Sequence, residues 1–506
     1  MRKSNSVPLP RLPSLVTLLS LLLLLWGCQS TMSVEEAKKV TATFTGASFV
    51  PPPRTINDIT VILDQQKLAD PEAAAKARAR ADESPPTTTK VTLAQFYYER
   101  GLAARQIGRA GQEIDDLTKA FEWAGRGGST GTVHYDDIVW ELALAETLGG
   151  NISRAQSYLH QAVTATPSNR RGALFRVHAM LARLYLVAGD VRAAEAEVQK
   201  LLALQSESRN WWRQNVRSEW VAHWNANTAD AQAYLARARG RLAEAEAFFR
   251  EAMSWLVGDP TASKSPSVDM LHFRIASVQL QQGRLLEAER EARAGLLGAL
   301  SKRGRYSTHT AIVLQFLVDA IAEQGRYAEA ERLARAVIDI YQKTGSAEDS
   351  ALLAFARDRL GRTLVAQGRW REALAEYEAI RQGMASDPEG YQRYLGGNIN
   401  WALALLNTGQ ADRALEQLQV ALERSQRLLG PSIPQIRGLL GVAHAARGDR
   451  ERALKEFADA VPALLKRSDE VDDETTTRPA RDQLVGLVLA AYIGLLADLK
   501  GTPLER

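Results

Sequence analysis

Leu360-Gly361-Arg362-Thr363-Leu364-Val365-Ala366-Gln367-Gly368-Arg369-Trp370-Arg371-Glu372-Ala373-Leu374 reads as the end of one helix, a tight turn and the start of a second. Gly368 stands past the end of the first helix, where a positive φ costs least. Gly361 and Ala373 lie seven residues before and five after that glycine, and both are small enough to let two helix backbones approach closely. Tyr377, nine residues after it, is the large side chain that fills the gap.

The arrangement recurs. Gly108, Gly150, Gly189, Gly240, Gly283, Gly325, Gly368, Gly409 and Gly448 are spaced by 42, 39, 51, 43, 42, 43, 41 and 39 residues. Alanine follows at five residues in eight of the nine, from Ala155 to Ala453; repeat 1 departs with Glu113. A small residue precedes most of them by seven, although repeat 6 carries Val318 there. Such a fixed period belongs to a repeat array and predicts an all-α, right-handed solenoid of about nine helix hairpins with a C-terminal capping helix. Nine hairpins at roughly 10 Å each make an array on the order of 90 Å.

The pattern resembles the tetratricopeptide repeat, TPR, over residues 91–465, and repeat 2 even ends on Pro167, where the TPR pattern places its proline. The period of about 42 exceeds the 34 of the commonest TPR. The longer helices are similar to those of kinesin light chains and of bacterial TPR-CHAT proteins.

The chain opens with Arg2, Lys3 and Arg11, then an apolar run from Leu15 to Leu25. The run is short for a membrane span, which needs about 20 residues, and reads as a secretory signal. Leu25-Trp26-Gly27-Cys28 resembles a bacterial lipobox, which implies lipidation of Cys28 and cleavage before it; Trp26 departs from the small residue usual there. The resemblance to Gram-negative lipoproteins, in which aspartate after the cysteine favours inner-membrane retention, implies through Gln29 sorting to the outer membrane, facing the periplasm. The expected divisions are a lipoprotein signal peptide at 1–27, a lipid-anchored tether with one short helix at 28–90, the TPR array at 91–465, and an acidic linker and C-terminal apolar helix at 466–506. Within the tether a helix is expected over 55–66, whereas 70–90 fits helix or linker equally.

Cys28 is the only cysteine, so residues 29–506 hold no disulfide, thiol nucleophile or thiolate metal site. The net charge of +4 is a property of the leader: residues 1–27 carry three basic and no acidic residues, leaving 60 basic against 59 acidic. A balanced surface of this kind argues against a nucleic-acid partner. No two of the seven histidines stand at metal-ligand spacing, and His178, His272 and His444 fall within first helices as packing or groove residues. The glycine-rich stretch 125–131 lacks the lysine of a phosphate loop and reads as an inter-repeat loop. No catalytic residue, metal, cofactor or small-molecule substrate is predicted.

Two sets of residues remain as candidates for partner binding. Trp211, Trp212, Trp220 and Trp224 crowd the junction where the spacing swells to 51, and Trp212, Trp220 and Trp224 could share one helical face. The alternative there is an extra turn packed on the solenoid. In TPR proteins the concave groove is lined by first helices, and counting from the glycines places Tyr234, Gln315, Asp358, Arg362, Asn398 and Asn400 on that face. Arg362 with Asn398 and Asn400 suits a polar or acidic peptide; a solvated helix face is the bland alternative.

The resulting expectation is a non-catalytic, lipid-anchored scaffold for a protein or peptide partner. A second expectation rests on resemblance: 50–60, 96–103 and the helix at 480–499 look like the front half of TPR-CHAT proteins, in which a caspase-like domain follows the repeats. On that reading the array is the regulatory half of a protease whose catalytic domain lies beyond Arg506.

Overall fold

A computed structural model describes residues 51–65, 71–87, 92–125, 131–148, 151–166, 170, 172–346, 348–386, 391–392, 395–427, 433–465 and 478–500. Cys28, the apolar leader and the acidic stretch 469–474 lie outside the described residues. Every regular element among those described is helical. Two helices precede the array, α1 (Asn57–Gln65) and α2 (Pro71–Ala81). Nine hairpins follow: α3 (Leu93–Gln106) with α4 (Ala110–Gly125), α5 (Tyr135–Leu148) with α6 (Ile152–Ala165), and α7 (Ala173–Val187) with α8 (Val191–Asn215). Next come α9 (Ser218–Ala238) with α10 (Leu242–Val257), α11 (Pro266–Gln281) with α12 (Leu285–Arg303), and α13 (Thr308–Glu323) with α14 (Tyr327–Thr344). The last are α15 (Ala351–Ala366) with α16 (Trp370–Gly383), α17 (Ile399–Asn407) with α18 (Ala411–Arg427), and α19 (Ile433–Ala446) with α20 (Arg450–Leu465). The last described element is α21 (Arg478–Leu499). The fold is an all-α solenoid of stacked helix hairpins.

Among the described residues, the turn glycines Gly108, Gly189, Gly240, Gly283, Gly325, Gly368, Gly409 and Gly448 all take a positive φ. Gly368 adopts φ 72°, and the Arg369 N–H closes the turn on the Leu364 carbonyl at 2.9 Å. Ala373 and Tyr377 are buried against the first helix, and a Cβ on Gly361 would stand 2.7 Å from Tyr377 Cζ. Gly441 and Phe457 repeat that contact in the last hairpin, where the same gap would be 2.6 Å. The small residues therefore set the distance between paired helices.

A second layer of pattern is superposed on the first. In repeats 3, 5, 7 and 9 the two helices are clasped by a cation or imidazole eleven residues before the glycine and a glutamate eight after it. These pairs are His178–Glu197 at 2.6 Å, His272–Glu291 at 2.8 Å, Arg357–Glu376 at 2.9 Å and Arg437–Glu456 at 3.1 Å. The same two positions hold Val139 and Tyr158, Ala229 and Phe248, and Leu314 and Leu333 in repeats 2, 4 and 6. Along the turns a ladder links repeats 4 to 7: Arg284 holds Glu246 at 2.7 Å, Arg326 holds Glu289 at 2.8 Å, and Arg369 holds Glu331.

Three features depart from a simple row of hairpins. The long spacing at repeat 4 lengthens two helices: α8 runs 25 residues and α9 runs 21, rather than adding a separate turn. The array also coils back on itself. A Cβ at Gly108, in the first turn, would collide with Ser346 beyond α14, and Arg78 Nη2 and the Ile107 carbonyl stand 3.2 and 3.8 Å from where a Gly345 Cβ would be. Finally, α1 does not stand off the array. Ile56, Ile59, Ile62 and Leu63 are buried in the core that runs from repeat 5 to the cap. Residues 71–81, left open by the sequence, are helical, and Ala77 and Ala81 bury against Ala103, Ala104 and Ile107 of repeat 1.

The last helix caps the stack. Leu484, Val488, Leu495 and Leu499 are buried, Val488 covers Gly438, and Tyr492 packs on Phe457 at 5.1 Å. α21 also reaches α15, the first helix of repeat 7. Its other face exposes Ile493 and Leu496.

Candidate functional site

First helices of most successive repeats pack side by side, so their polar residues meet across repeat boundaries. Asp137 of repeat 2 pairs with Arg176 of repeat 3, whose guanidinium lies 4.9 Å from the centre of Trp140. Arg183 stands over Tyr234 of repeat 4 at 5.7 Å, and Arg274 of repeat 5 over the same ring at 5.6 Å. Arg274 also pairs with Asp230. Phe273 stacks with Phe316 of repeat 6, which has Arg359 of repeat 7 at 5.5 Å. Arg359 Nε donates to both oxygens of Asp319 at 3.1 Å. The result is a continuous wall of arginine, carboxylate and aromatic side chains from repeat 2 to repeat 7.

Of the groove residues expected from the sequence, Tyr234, Asp358 and Arg362 lie among the wall's first helices, Asn398 joins them from repeat 8, and Gln315 and Asn400 are buried. Tyr234 is held edge-on to Phe249 at 5.3 Å between its two arginines. Asp358, Arg362 and Asn398 converge: Asn398 Nδ2 donates to Asp358 Oδ1 at 2.7 Å, and Arg362 Nε lies 3.3 Å from Asp358 Oδ2 and its Nη2 3.6 Å from Asp319. Burial pulls the Arg362 guanidinium down, and Asp358 and Asp319 more than reverse it, holding it above its ordinary range. Asn398 also caps α17, accepting the Trp401 N–H at 3.0 Å. Gln315 is an interior strut instead of a surface residue. Its Nε2 donates to the Tyr341 hydroxyl at 2.9 Å and its Oε1 accepts from Arg359 at 2.8 Å. Asn400 is buried too. A helix turns about 100° per residue, so neighbouring positions counted back from a glycine fall either on the wall or in the layer behind it.

The tryptophan cluster divides. Arg217 is extended, with φ −62° and ψ 141°, and ends one helix before the next. Trp212 therefore lies on α8 and Trp220 and Trp224 on α9, so the single face expected for the three does not form. The side chains of Trp211 and Trp212 lie outside the described residues. Trp224 stacks on Phe175 at 5.5 Å and 8°, and a Cβ at Gly172 would collide with it, which makes it packing between repeats 3 and 4. Trp220 is 47% exposed, with Arg217 5.9 Å from its ring and His223 beside it at 6.2 Å. Burial pushes the His223 imidazolium below its ordinary pKa.

A cleft of about 610 Å³ opens between repeats 7 and 8, walled by Trp401, Tyr391, Arg381, Arg413 and Glu378. Both arginines are drawn to Glu378. Burial raises the Tyr391 phenol to about 12. The histidines in first helices are engaged locally: His178 and His272 in their clasps, His309 on Asp269 at 3.2 Å. Burial lowers the His444 imidazolium. Among the described residues no group of three or more His, Cys, Asp or Glu side chains could hold a metal ion, and no helix is long and apolar enough to cross a membrane.

The clasps and the turn ladder are not among the residues expected from the sequence. The signal of the clasps is a second register, eleven before and eight after the glycines of repeats 3, 5, 7 and 9, which alternates with apolar pairs in repeats 2, 4 and 6 and is broken by Tyr97 and Asp116 in repeat 1 and by Asn398 and Gln417 in repeat 8.

No curated protein matches the chain. Among solved structures it is similar to BtubC (BKLC) from P. vanneervenii, with 20% identity over 48% of this chain and 91% of that one and a TM-score of 0.36. It is also similar to a putative kinesin light chain with nearly identical TPR-like repeats from Podosopora anserina, at 21% identity, 40% and 99% coverage and a TM-score of 0.32. A Rap protein complexed with Competence and Sporulation Factor is 12% identical, over 78% of this chain and 98% of that one, with a TM-score of 0.44. The family model of the MalT-like TPR region matches residues 141–472, from within α5 to beyond α20, and the chain belongs to that family.

Proposed function

We propose that this chain is a non-catalytic scaffold that binds a protein or peptide along the wall of first helices and is held to a bacterial membrane by lipid on Cys28. The observation that carries the binding reading is the wall itself, in which guanidinium, carboxylate and aromatic groups alternate across six repeats. Such a surface offers a polypeptide bidentate hydrogen bonds, cation–π contacts and stacking without presenting one sign of charge. The lipobox-like sequence and Gln29 support an anchor in the outer membrane with the array facing the periplasm.

The binding reading is tested with a photo-crosslinking residue at Tyr234, with Trp255 on a second helix as control. A partner crosslinked at Tyr234 and absent at Trp255 is expected, and Tyr234→Ala should weaken that partner at least tenfold, about 1.4 kcal/mol. Equal crosslinking at both positions would reject the wall as the site. Cys28→Ala should move the protein from the membrane to the soluble fraction; a variant still sedimenting with membranes rejects the lipid anchor.

The exposed apolar face of α21, with Ile493 65% and Leu496 46% exposed, favours a second reading in which a caspase-like domain docks there. The mass of the native protein decides it. A species larger by a domain supports regulation of a protease, and one ending at Arg506 rejects it.

A further inference from the structure

Residues 55–65 are held by a recessed site that recognises a short helix at both ends. At the start of α1 the Ile56 N–H donates to Glu329 Oε1 at 3.0 Å, and Arg293 Nη2 donates to the Thr55 carbonyl at 3.0 Å. Arg293 Nη1 donates to Asp58 Oδ2 at 2.5 Å, with both side chains fully buried. At the other end Arg305 Nη1 donates to the Leu63 carbonyl at 2.8 Å. Between these contacts the four residues Ile56, Ile59, Ile62 and Leu63 are no more than 4% exposed. The site lies on the second helices of repeats 5 and 6 and on Arg305 in the α12–α13 connection, away from the wall of first helices.

The site is built to stand without its occupant. Glu289 takes Arg293 on one oxygen at 2.8 Å and Arg326 on the other at 2.8 Å, and Arg326 Nε holds Glu329 at 2.5 Å. Arg293, Glu289, Arg326 and Glu329 therefore form an alternating chain of charges within the array, with Arg305 tied separately to Asp339 at 3.1 Å. Each cation keeps an array carboxylate when the segment leaves, which removes most of the penalty of stranding a buried charge. The occupant differs in this respect. A helix of 9 residues is too short to persist alone in water, so α1 owes its order to the site.

We propose that this cleft is a binding site for a short amphipathic helix of the pattern Ile-x-Asp-Ile-x-x-Ile-Leu, filled in cis by residues 56–63 and exchangeable with a helix of the same chemistry in trans. The site is separate from the wall of first helices, so either reading can fail alone. The apolar residues supply the affinity, Asp58 sets the register through Arg293, and Glu329 and Arg305 gauge the length. Covalent attachment gives the cis segment an effective concentration in the millimolar range, which keeps the cleft closed to weak competitors.

The test uses the full chain and a fluorescein-labelled synthetic peptide of residues 51–66. Asp58→Lys in the chain places a like charge against Arg293 and should release the cis segment. The peptide should then bind this variant at least tenfold more tightly than the parent chain, whereas a peptide carrying Asp58→Lys should bind neither. Equal binding to both chains, or no binding to a variant that keeps the parent's helical circular dichroism, overturns the proposal. Hydrogen exchange on the unmodified chain decides independently of any variant. Amides of 60–65 should exchange at least tenfold faster than those of α12 and α14; protection equal to those helices makes the segment a permanent part of the core and overturns it.

Discussion

Gly361 and Gly441 show how much of this fold is decided at single atoms. Each lets a large aromatic of the second helix lie directly on the first helix, and a methyl group there would meet Tyr377 Cζ at 2.7 Å or Phe457 Cε1 at 2.6 Å. Gly361→Ala should therefore cost about 1–3 kcal/mol by overpacking. Urea unfolding followed by circular dichroism measures it, and an unchanged midpoint would mean the helices part without penalty. Ala373→Trp should cost a similar amount or more at the fully buried facing position. These residues were legible in the sequence because packing repeats them at one register. Gln315 and Asn400 were not, because a polar side chain at the rim of a helix face can turn either way, and only its neighbours decide which.

At the scale of the element, alternate hairpins solve the same packing problem with different chemistry. Repeat 5 joins its helices through His272 and Glu291, and repeat 6 uses Leu314 and Leu333. Burial pushes the Glu291 carboxyl up, and His272, with the Arg250 and Arg290 cations, more than reverses this and holds it below the usual range. Glu291→Leu alone should cost about 1–3 kcal/mol, because it strands the polar groups that faced it. The double change His272→Leu with Glu291→Leu copies repeat 6 and should recover most of that loss, since a well-packed apolar pair commonly equals a buried polar one. A double variant no more stable than the single one would show that the clasp has a role beyond packing. The cap is a second element-level case. Val488 is fully buried over Gly438, so Val488→Asp should detach α21. Limited proteolysis should then cut between 465 and 478 while the hairpins before it survive; resistance equal to the parent's would argue against this docking.

At the scale of the whole molecule the array is more than a sum of neighbours. Simple solenoids approximate a one-dimensional chain in which each repeat feels only the next. Here the first turn meets the segment after α14, and α1 and α2 join the middle of the array to its beginning. Ser346→Trp should wedge this closure open, raising the radius of gyration in small-angle scattering while leaving helix content unchanged; an unaltered radius would place no constraint at Gly108. Acid stability also belongs to this scale. The carboxyls of Asp137, Glu197, Glu246, Asp269 and Glu291 are all raised by burial and carried below their usual range by partnered arginine, histidine, lysine and amide groups. A depressed carboxyl contributes stability above its unfolded pKa, near 4, and loses it as pH falls through the folded value. The melting temperature should therefore change little from these groups between about pH 7 and 5, then fall steeply below about pH 4. A flat melting temperature to pH 3 would mean these pairs contribute nothing net.

The helix pairs, their turns, their number and the small-residue contacts that set their spacing all follow from the order of residues. All of these are local or recur at a fixed period, so each copy reinforces the reading of the others. That order also marked 55–66 as a helix and the last apolar helix as a cap. Where α1 binds, how the coil closes and which groove residues face the interior follow from long-range packing instead. Arg293 and Asp58 are 235 residues apart, and nothing periodic links them. Contacts of that kind depend on the accumulated rotation from hairpin to hairpin, a small angle summed over several repeats, which no single repeat encodes.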